Sequence, residues 1–235
     1  MLATADFWIG LLKIIWVNLL LSGDNAVVIA LAARSLPPRQ QKLAIFWGSG
    51  AAIVLRIILT LFAVALLTLP WLKIVGGLLL VWIGVQLLLP EDGDDKVSSS
   101  DNLIVAIRTI LVADLVMSMD NVLAVAAAAE TAPGDAKLVL LILGLAISIP
   151  IVIFGSTLVL HLMERFPLII TFGAGLLGWI AGDMIVTDPA IVDWVSLHAS
   201  WLQSWRVLAI GGAALVVAIG AALSARRQGS EGEVS

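Results

Sequence analysis

Two Asp-Asn pairs stand inside long apolar runs, and the runs are near-copies of each other. The first is Leu21-Ser22-Gly23-Asp24-Asn25-Ala26-Val27-Val28-Ile29-Ala30; the second is Met117-Ser118-Met119-Asp120-Asn121-Val122-Leu123-Ala124-Val125-Ala126. An aspartate in hydrocarbon is costly on every scale, so its presence points to function. Carboxylates, carboxamide oxygens and hydroxyls together suit hard divalent cations such as Mg²⁺, Ca²⁺ or Mn²⁺. No His or Cys lies near the centre of any apolar run, as Zn²⁺ or Cu⁺ would ask. Met117 and Met119 would tilt the choice slightly toward Mn²⁺, although methionine more often simply packs. Like charges held close cannot all stay ionised without a cation. An empty site of this kind would therefore hold protons and a filled one would release them, which is the chemistry of cation/proton exchange.

The pairs belong to a longer repeat. Asp24 and Asp120 are 96 positions apart, and the same offset matches Asn18 with Asp114, Ser22 with Ser118, Asn25 with Asn121 and Gly48 with Gly144. With one residue inserted, Pro70 meets Pro167, Trp82 meets Trp179 and Gln86 meets Asp183. Asn18, Ser22 and Asn25 share a helix face at i, i+4 and i+7, as do Asp114, Ser118 and Asn121. Asp24 and Asp120 fall about 100° from that face. They either flank a cavity, or the helix breaks at Ser22-Gly23 and brings backbone carbonyls into the site. The first helix is the more exposed to such a distortion.

Elements able to position these residues follow from composition. The chain is 61% hydrophobic and 13% charged, with mean hydropathy +1.10, unlike a soluble domain of 235 residues. It has no Cys, which excludes disulfides and thiolate chemistry. No basic run points to nucleic acid, and the net charge of −4 says little about partners. The first apolar stretch lacks a charged leader and a cleavage site, and reads as a retained span. Seven spans are expected near 7–33, 43–68, 71–89, 103–129, 138–160, 168–187 and 206–224, each sufficient for about 30 Å of hydrocarbon. The fold expected is an all-α polytopic membrane protein of seven transmembrane helices: a 3+3 inverted-topology repeat plus one extra C-terminal helix. Three spans are an odd number, so the second copy enters from the opposite side, and the site lies near the midplane between copies.

The parts are a first three-helix repeat at 1–89, a polar cytoplasmic linker at 90–102 and a second repeat at 103–187. An outer interfacial segment at 188–205, the seventh helix at 206–224 and a disordered cytoplasmic tail at 225–235 follow. The linker's acids do not match the spacing of a calcium loop. Trp194, Leu197, Trp201 and Trp205 have helical spacing, as in an amphipathic helix lying at headgroup depth. Arg34, Arg39, Lys42, Lys96, Arg165, Arg226 and Arg227 mark one side as cytoplasmic, which leaves the N-terminus outside and the C-terminus inside.

Other polar groups leave alternatives open. Asp183 is either part of the site or a wetted residue at an outer helix end. Arg56 either neutralises a site carboxylate when no ion is bound or pairs elsewhere. The glycine sets (Gly48, Gly50, Gly76, Gly77; Gly173, Gly175, Gly178, Gly182) suit close helix packing better than hinges. The Asp-Asn pairs themselves could glue two helices, although uncharged residues would do so at lower cost.

Several stretches resemble the TerC family of integral membrane proteins, most closely its YjbE-type branch. They are Ser-Gly-Asp-Asn-Ala-Val-Val-Ile-Ala-Leu-Ala-Ala-Arg (22–34), Val-Met-Ser-Met-Asp-Asn-Val-Leu-Ala-Val-Ala (116–126), Gly-Leu-Ala-Ile-Ser-Ile-Pro (144–150) and Met-Glu-Arg-Phe-Pro (163–167). The resemblance implies seven spans, membership of the wider LysE-like transporter group, manganese export as in several bacterial members, and an older link to tellurium resistance. It matches Asp24, Asn25, Asp120 and Asn121 to the family's paired motifs and Asp114 to its acidic position before the second pair. Asn18 departs, because that place is often acidic.

The leading expectation is a Mn²⁺ exporter of the bacterial inner membrane, working by alternating access with proton exchange. Its metal-site residues are Asp24, Asn25, Asp114, Asp120, Asn121, Asn18, Ser22, Ser118 and Asp183. The partners are the lipid bilayer, the metal ion and protons, with no prosthetic group and an oligomeric state left open. Alternatives are export of Ca²⁺ or an organic cation, the latter kept open by Trp16, Trp82 and Trp179, or a membrane partner supplying Mn²⁺ to exported metalloenzymes. An intramembrane aspartyl protease would use Asp24 and Asp120 as a dyad, but no further motif supports it. A retinal protein is excluded by the lack of a lysine in span seven. No enzyme is expected.

Overall fold

Apolar runs without period-two alternation satisfy their backbone internally only as helices. The computed structural model describes residues 5–20, 22–62, 69–89, 99–130, 137–204 and 206–232, and these are helical with no strand among them. In order they form α1 (Ala5–Leu20), α2 (Gly23–Ala33), α3 (Pro38–Leu61), α4 (Leu72–Gln86), α5 (Ser99–Glu130), α6 (Lys137–Arg165), α7 (Leu168–Val186), α8 (Val192–His198), α9 (Ser200–Ser204) and α10 (Val207–Gly232). Among the described residues five stretches are long and apolar enough to cross a bilayer: Pro38–Thr60, Asn102–Met119, Val139–Arg165, Leu168–Val186 and Val207–Arg226. Phe7–Val17, Gly23–Ala33 and Leu72–Gln86 are apolar but shorter. The chain is thus a helical, multi-pass membrane protein.

The expected 7–33 span is two helices. The first ends at Leu20 and the second begins at Gly23, and Ser22 takes the N-cap position of α2 with φ −105° and ψ −3°. By contrast α5 runs unbroken for 32 residues through Asp120 and Asn121. The difference is local: Ser22-Gly23 is a weak helix former, whereas the matching Ser118-Met119 is not. α3 starts earlier than expected because Pro37 and Pro38 supply an N-cap and a first-turn proline. Residues 63–68 and most of the 90–102 linker lie outside the described residues, and α5 already begins at Ser99.

The expected interfacial helix is two short ones, parted at Ala199 (φ −144°, ψ 40°). Trp194, Leu197 and Trp201 are exposed there while Val195 is buried, so the apolar outer face survives the break; Trp205 lies outside the described residues. The tail expected to be disordered continues α10 to Gly232, since nothing before Gly229 breaks the helix; residues 233–235 are outside the description.

The chain divides into two compact units. Met1–Thr68 with Ser100–His161 forms the first, and Leu69–Ser99 with Leu162–Ser235 the second. Each draws on both expected repeats. In the first unit Phe7, Leu11 and Ile14 of α1 pack with Ile53 of α3 and Leu140, Leu141 and Leu145 of α6. Two close contacts there mirror each other. Gly144 admits Ile14, and Gly48 admits Ile110, whose Cδ1 would lie 2.7 Å from a Cβ at that position. Adding 96 to each residue of the Ile14/Gly48 set yields the Ile110/Gly144 set. Thr60 and Ser156, also 96 apart, each donate to the carbonyl four residues back, Arg56 O and Val152 O, both at 2.7 Å. Within α6, Pro150 removes the donor that would serve Ala146.

In the second unit α7 packs against both α4 and α10, backbone to backbone. A Cβ on Gly182 would meet Leu208 O, one on Gly212 would meet Gly178 O, and one on Gly77 would lie 2.8 Å from Ala181 O. Small residues permit this approach where lipid offers no hydrophobic drive between helices. A Cβ on Gly211, adjacent to Gly212, would meet nothing within 4 Å. Gly212→Ala should therefore cost about 1–3 kcal/mol by overpacking. Gly211→Ala should be neutral or gain up to about 1 kcal/mol from helix propensity. Thermal unfolding of the two variants in detergent checks the contrast; equal midpoints would refute the packing.

Candidate functional site

The break in the first span sets the site. Ending α1 and restarting the chain as α2 takes intrahelical partners from the last carbonyls of one and the first amides of the other. Ser22 and Asn25 are buried at this restart, and Asp24 is partly buried in the first turn of α2. The Asp24 Oδ1 accepts from the Asn25 amide at 2.8 Å, and a carboxylate at a helix N-terminus is favoured by the helix dipole. Of the nine residues expected to serve the cation, Ser22, Asp24 and Asn25 are thus together on one short half-helix. The side chains of Asn18 and Asp120 lie outside the described residues.

α5 brings Asp114 and Ser118 onto one face, one turn apart. The Ser118 hydroxyl donates to Asp114 Oδ2 at 3.1 Å. Asn121 continues that stripe and is partly buried. Across from them on α3 stands Arg56. Its Nη2 donates to Asp114 Oδ1 at 2.6 Å and its Nε to Ser118 Oγ at 3.0 Å. The Arg56 and Asp114 side chains are only 3% and 6% exposed, so this is a buried ion pair with a serine bridging its two halves. Arg56 thus pairs with Asp114, one of the carboxylates that the sequence marks as a candidate ligand. Asp24 lies within electrostatic reach of both Arg56 and Asp114. Two carboxylates, one guanidinium and a hydroxyl therefore share one field inside the first unit. Such a cluster can accept a cation only by rearranging its own charges.

Asp183 is placed elsewhere. It belongs to the second unit, where Arg206 approaches to 3.7 Å with both side chains about half exposed (58% and 48%). The Arg206 guanidinium also lies 5.9 Å from the Trp179 ring centroid. This is the wetted helix end that the sequence left open, and an exposed pair of this kind contributes about 0–1 kcal/mol.

Asp188 has no distinguishing mark in the sequence. It is fully buried, and its carboxylate accepts four backbone amides. Trp71 N and Ala190 N reach Oδ1 at 2.9 and 2.7 Å; Lys73 N and Ile74 N reach Oδ2 at 2.9 and 3.1 Å. Burial pushes this carboxyl up, but the amides of Ala190, Trp71, Ile74 and Lys73 outweigh it and hold it below its ordinary 3.8. Asp188, just past the end of α7, thus caps α4, with Trp71 in the left-handed region at φ 70°. Its four hydrogen bonds seat the start of α4.

The chain is similar to several membrane proteins. A 44% identical protein of Bacillus subtilis (strain 168), "Uncharacterized membrane protein YjbE", aligns over 195 residues, 83% of this chain and 87% of its own length. "Uncharacterized membrane protein YkoY" of the same organism is 25% identical over 246 positions, covering 96% of this chain and 74% of that protein. "Uncharacterized membrane protein YceF", also from that strain, is 26% identical over 175 positions, or 70% and 66% of the two chains. No solved structure matches the chain significantly. The model of the integral membrane protein TerC family matches residues 3–230, and the chain belongs to that family.

Proposed function

We propose that this protein is a cation exporter of the bacterial plasma membrane, with Mn²⁺ as its principal substrate and protons as the counter-ion. The observation that carries the reading is the interruption between Leu20 and Gly23, which sets Asp24 in a helix's first turn within electrostatic reach of the buried Arg56–Asp114–Ser118 cluster. Charges are placed at membrane depth only at substantial cost, and transport sites are where that cost recurs. Interrupted helices line such sites because their free ends supply ligands.

Seven crossings follow if α1 and α2 form one interrupted crossing and α3, α4, α5, α6, α7 and α10 the rest. Crossings one to three and four to six are then inverted copies. The mirrored Ile14–Gly144 and Ile110–Gly48 contacts support this, because a two-fold axis makes each contact reciprocal. The matched hydroxyls of Thr60 and Ser156 point the same way. The excess of Lys and Arg in alternate loops puts the N-terminus outside and the C-terminus in the cytoplasm. The cation is held by Asp24, Asn25, Asp120 and Asn121, with Asp114, Ser22, Ser118 and Asn18 around them; the oxygen donors fit a hard divalent ion.

Reconstituted in liposomes with an internal pH dye, the wild type should move Mn²⁺ against protons. Asp24→Ala and Asp120→Ala should each lower the rate about a hundredfold or more, the scale of a lost electrostatic contact at a working site. Wild-type flux in either variant would misplace the site; no Mn²⁺ movement by folded, oriented wild type would refute the export reading.

A further inference from the structure

Arg56 calls for a reason beyond stability. Replacing a buried ion pair with well-packed apolar residues is often neutral or stabilising, so such a pair is weak evidence for a fold requirement. Here both partners are almost wholly buried and joined through a third polar group. Each Asp114 oxygen already accepts a bond, Oδ1 from Arg56 and Oδ2 from Ser118. A cation that takes Asp114 as a ligand must compete with the guanidinium for it. Arginine cannot shed its charge by losing a proton, so it serves as a permanent counter-ion where a carboxylate must sometimes stand without a substrate.

We propose that Arg56 is a tethered counter-cation: it occupies Asp114 in the empty carrier and is displaced when a divalent cation enters. This rests on the cation-carrier reading and adds how the empty site is held. With the guanidinium in place, Asp114 carries no uncompensated charge, and the metal-free carrier, with its counter-ion protons on other carboxylates of the site, can change its facing. Net export needs that metal-free return. Exchange of one metal ion for another does not, because the loaded carrier moves both ways. Arg56 is therefore a positioning and charge-compensating residue, and its removal separates the two modes of transport.

The test uses the full chain purified in detergent and in liposomes, with Mn²⁺ alone as probe, in mildly alkaline, air-free buffer so that protons do not replace the guanidinium. Binding is read from the paramagnetic resonance of free Mn²⁺. Arg56→Gln is expected to bind Mn²⁺ about tenfold tighter or more, since its competitor is gone, a change of about 1.4 kcal/mol. It is expected to keep Mn²⁺/Mn²⁺ exchange and to lose net export. A merely structural role for Arg56 would weaken binding and both transport modes together. Unchanged or weaker binding in a monodisperse Arg56→Gln protein overturns the proposal, as does intact net export.

If Arg56→Gln does not fold, Arg56→Lys decides. Lysine keeps the charge but loses the planar fork, so net export should persist at a reduced rate; net export lost with binding intact overturns the proposal. Failure of the carrier reading is separable, because it appears as absent Mn²⁺ flux in wild-type liposomes, whereas the binding comparison judges displacement. Tighter binding in Arg56→Gln without flux in either protein would keep the competition and remove the exporter. Absence of Mn²⁺ binding in both would overturn the competition itself.

Discussion

Asp114→Ala is expected to destabilise the first unit by about 3–5 kcal/mol, the cost of breaking a buried ion pair from one side. The variant keeps Arg56 inside α3 with its nearest carboxylate gone, and Ser118 loses its acceptor as well. A carboxyl left alone in such a place escapes its charge by binding a proton, but a guanidinium has no such escape. Asp114→Ala should therefore be the more damaging half of the pair, worse than Arg56→Gln. Removing both charges tests the account. Arg56→Met with Asp114→Leu should recover most or all of the lost stability, because two apolar side chains of similar volume replace two desolvated ions. It should still be inactive. Scanning fluorimetry in detergent gives the midpoints of the wild type, the two single variants and the double variant. An Asp114→Ala midpoint within the range of surface substitutions, about 0.5 kcal/mol, would mean that the pair is not buried as described. Restored stability together with restored Mn²⁺ flux would remove Asp114 from the transport machinery.

The same pair shows where sequence reading stops. Asp114 and Ser118 are legible as one face because their spacing is fixed by the helix itself. The break beside Asp24 is legible for a related reason: Ser22-Gly23 offers little helix propensity, and the following Asp is at home in a first turn. The 96-residue offset, read from matching letters, relates two contacts that the letters themselves do not foretell, Ile14 with Gly144 and Ile110 with Gly48. Arg56 is different. Its partner lies 58 positions away on another helix, and the offset gives it no charged counterpart. The only signal is energetic, since an arginine in mid-span demands an acid, and the candidates are several. Hydropathy misjudges lengths where tertiary contacts end a helix. α4 spans 15 residues, about 22 Å at 1.5 Å per residue, and its start is set by Trp71 and Asp188 instead of by hydropathy. The outer amphipathic stretch keeps its exposed tryptophans but not its continuity, because Ala199 leaves the helical region.

Asp188 carries the second large effect, and it is invisible in the sequence because its partners are main-chain amides, which nearly every residue possesses. Four of them converge on one carboxylate, two from the first turn of α4, one from its N-cap residue Trp71 and one from Ala190. Loss of an ordinary N-cap costs about 0.5–2 kcal/mol, and hydrogen bonds to a charged group are each worth about 1.5–3 kcal/mol, without simple additivity. Trp71 shows that these bonds bear a load, since its left-handed φ of 70° is a strained state costing about 1–3 kcal/mol that persists only while its surroundings hold it, and its release would offset part of the loss. Asp188→Ala should therefore cost about 3–5 kcal/mol, near the top of the range for single substitutions, and unseat α4 from α7. Asp188→Asn keeps one carbonyl acceptor and should lose less. The pH dependence has a defined sign. Hydrogen bonding holds the folded carboxyl below its ordinary 3.8, so its contribution is fully present above that value and is lost as pH falls through it toward the folded value. Unfolding midpoints of the wild type should thus show no Asp188-dependent change from neutral pH to about 5, then a drop below about 4 that the Asp188→Ala protein lacks. Parallel curves for the two proteins below that pH would show that the carboxylate charge does not hold α4 in place.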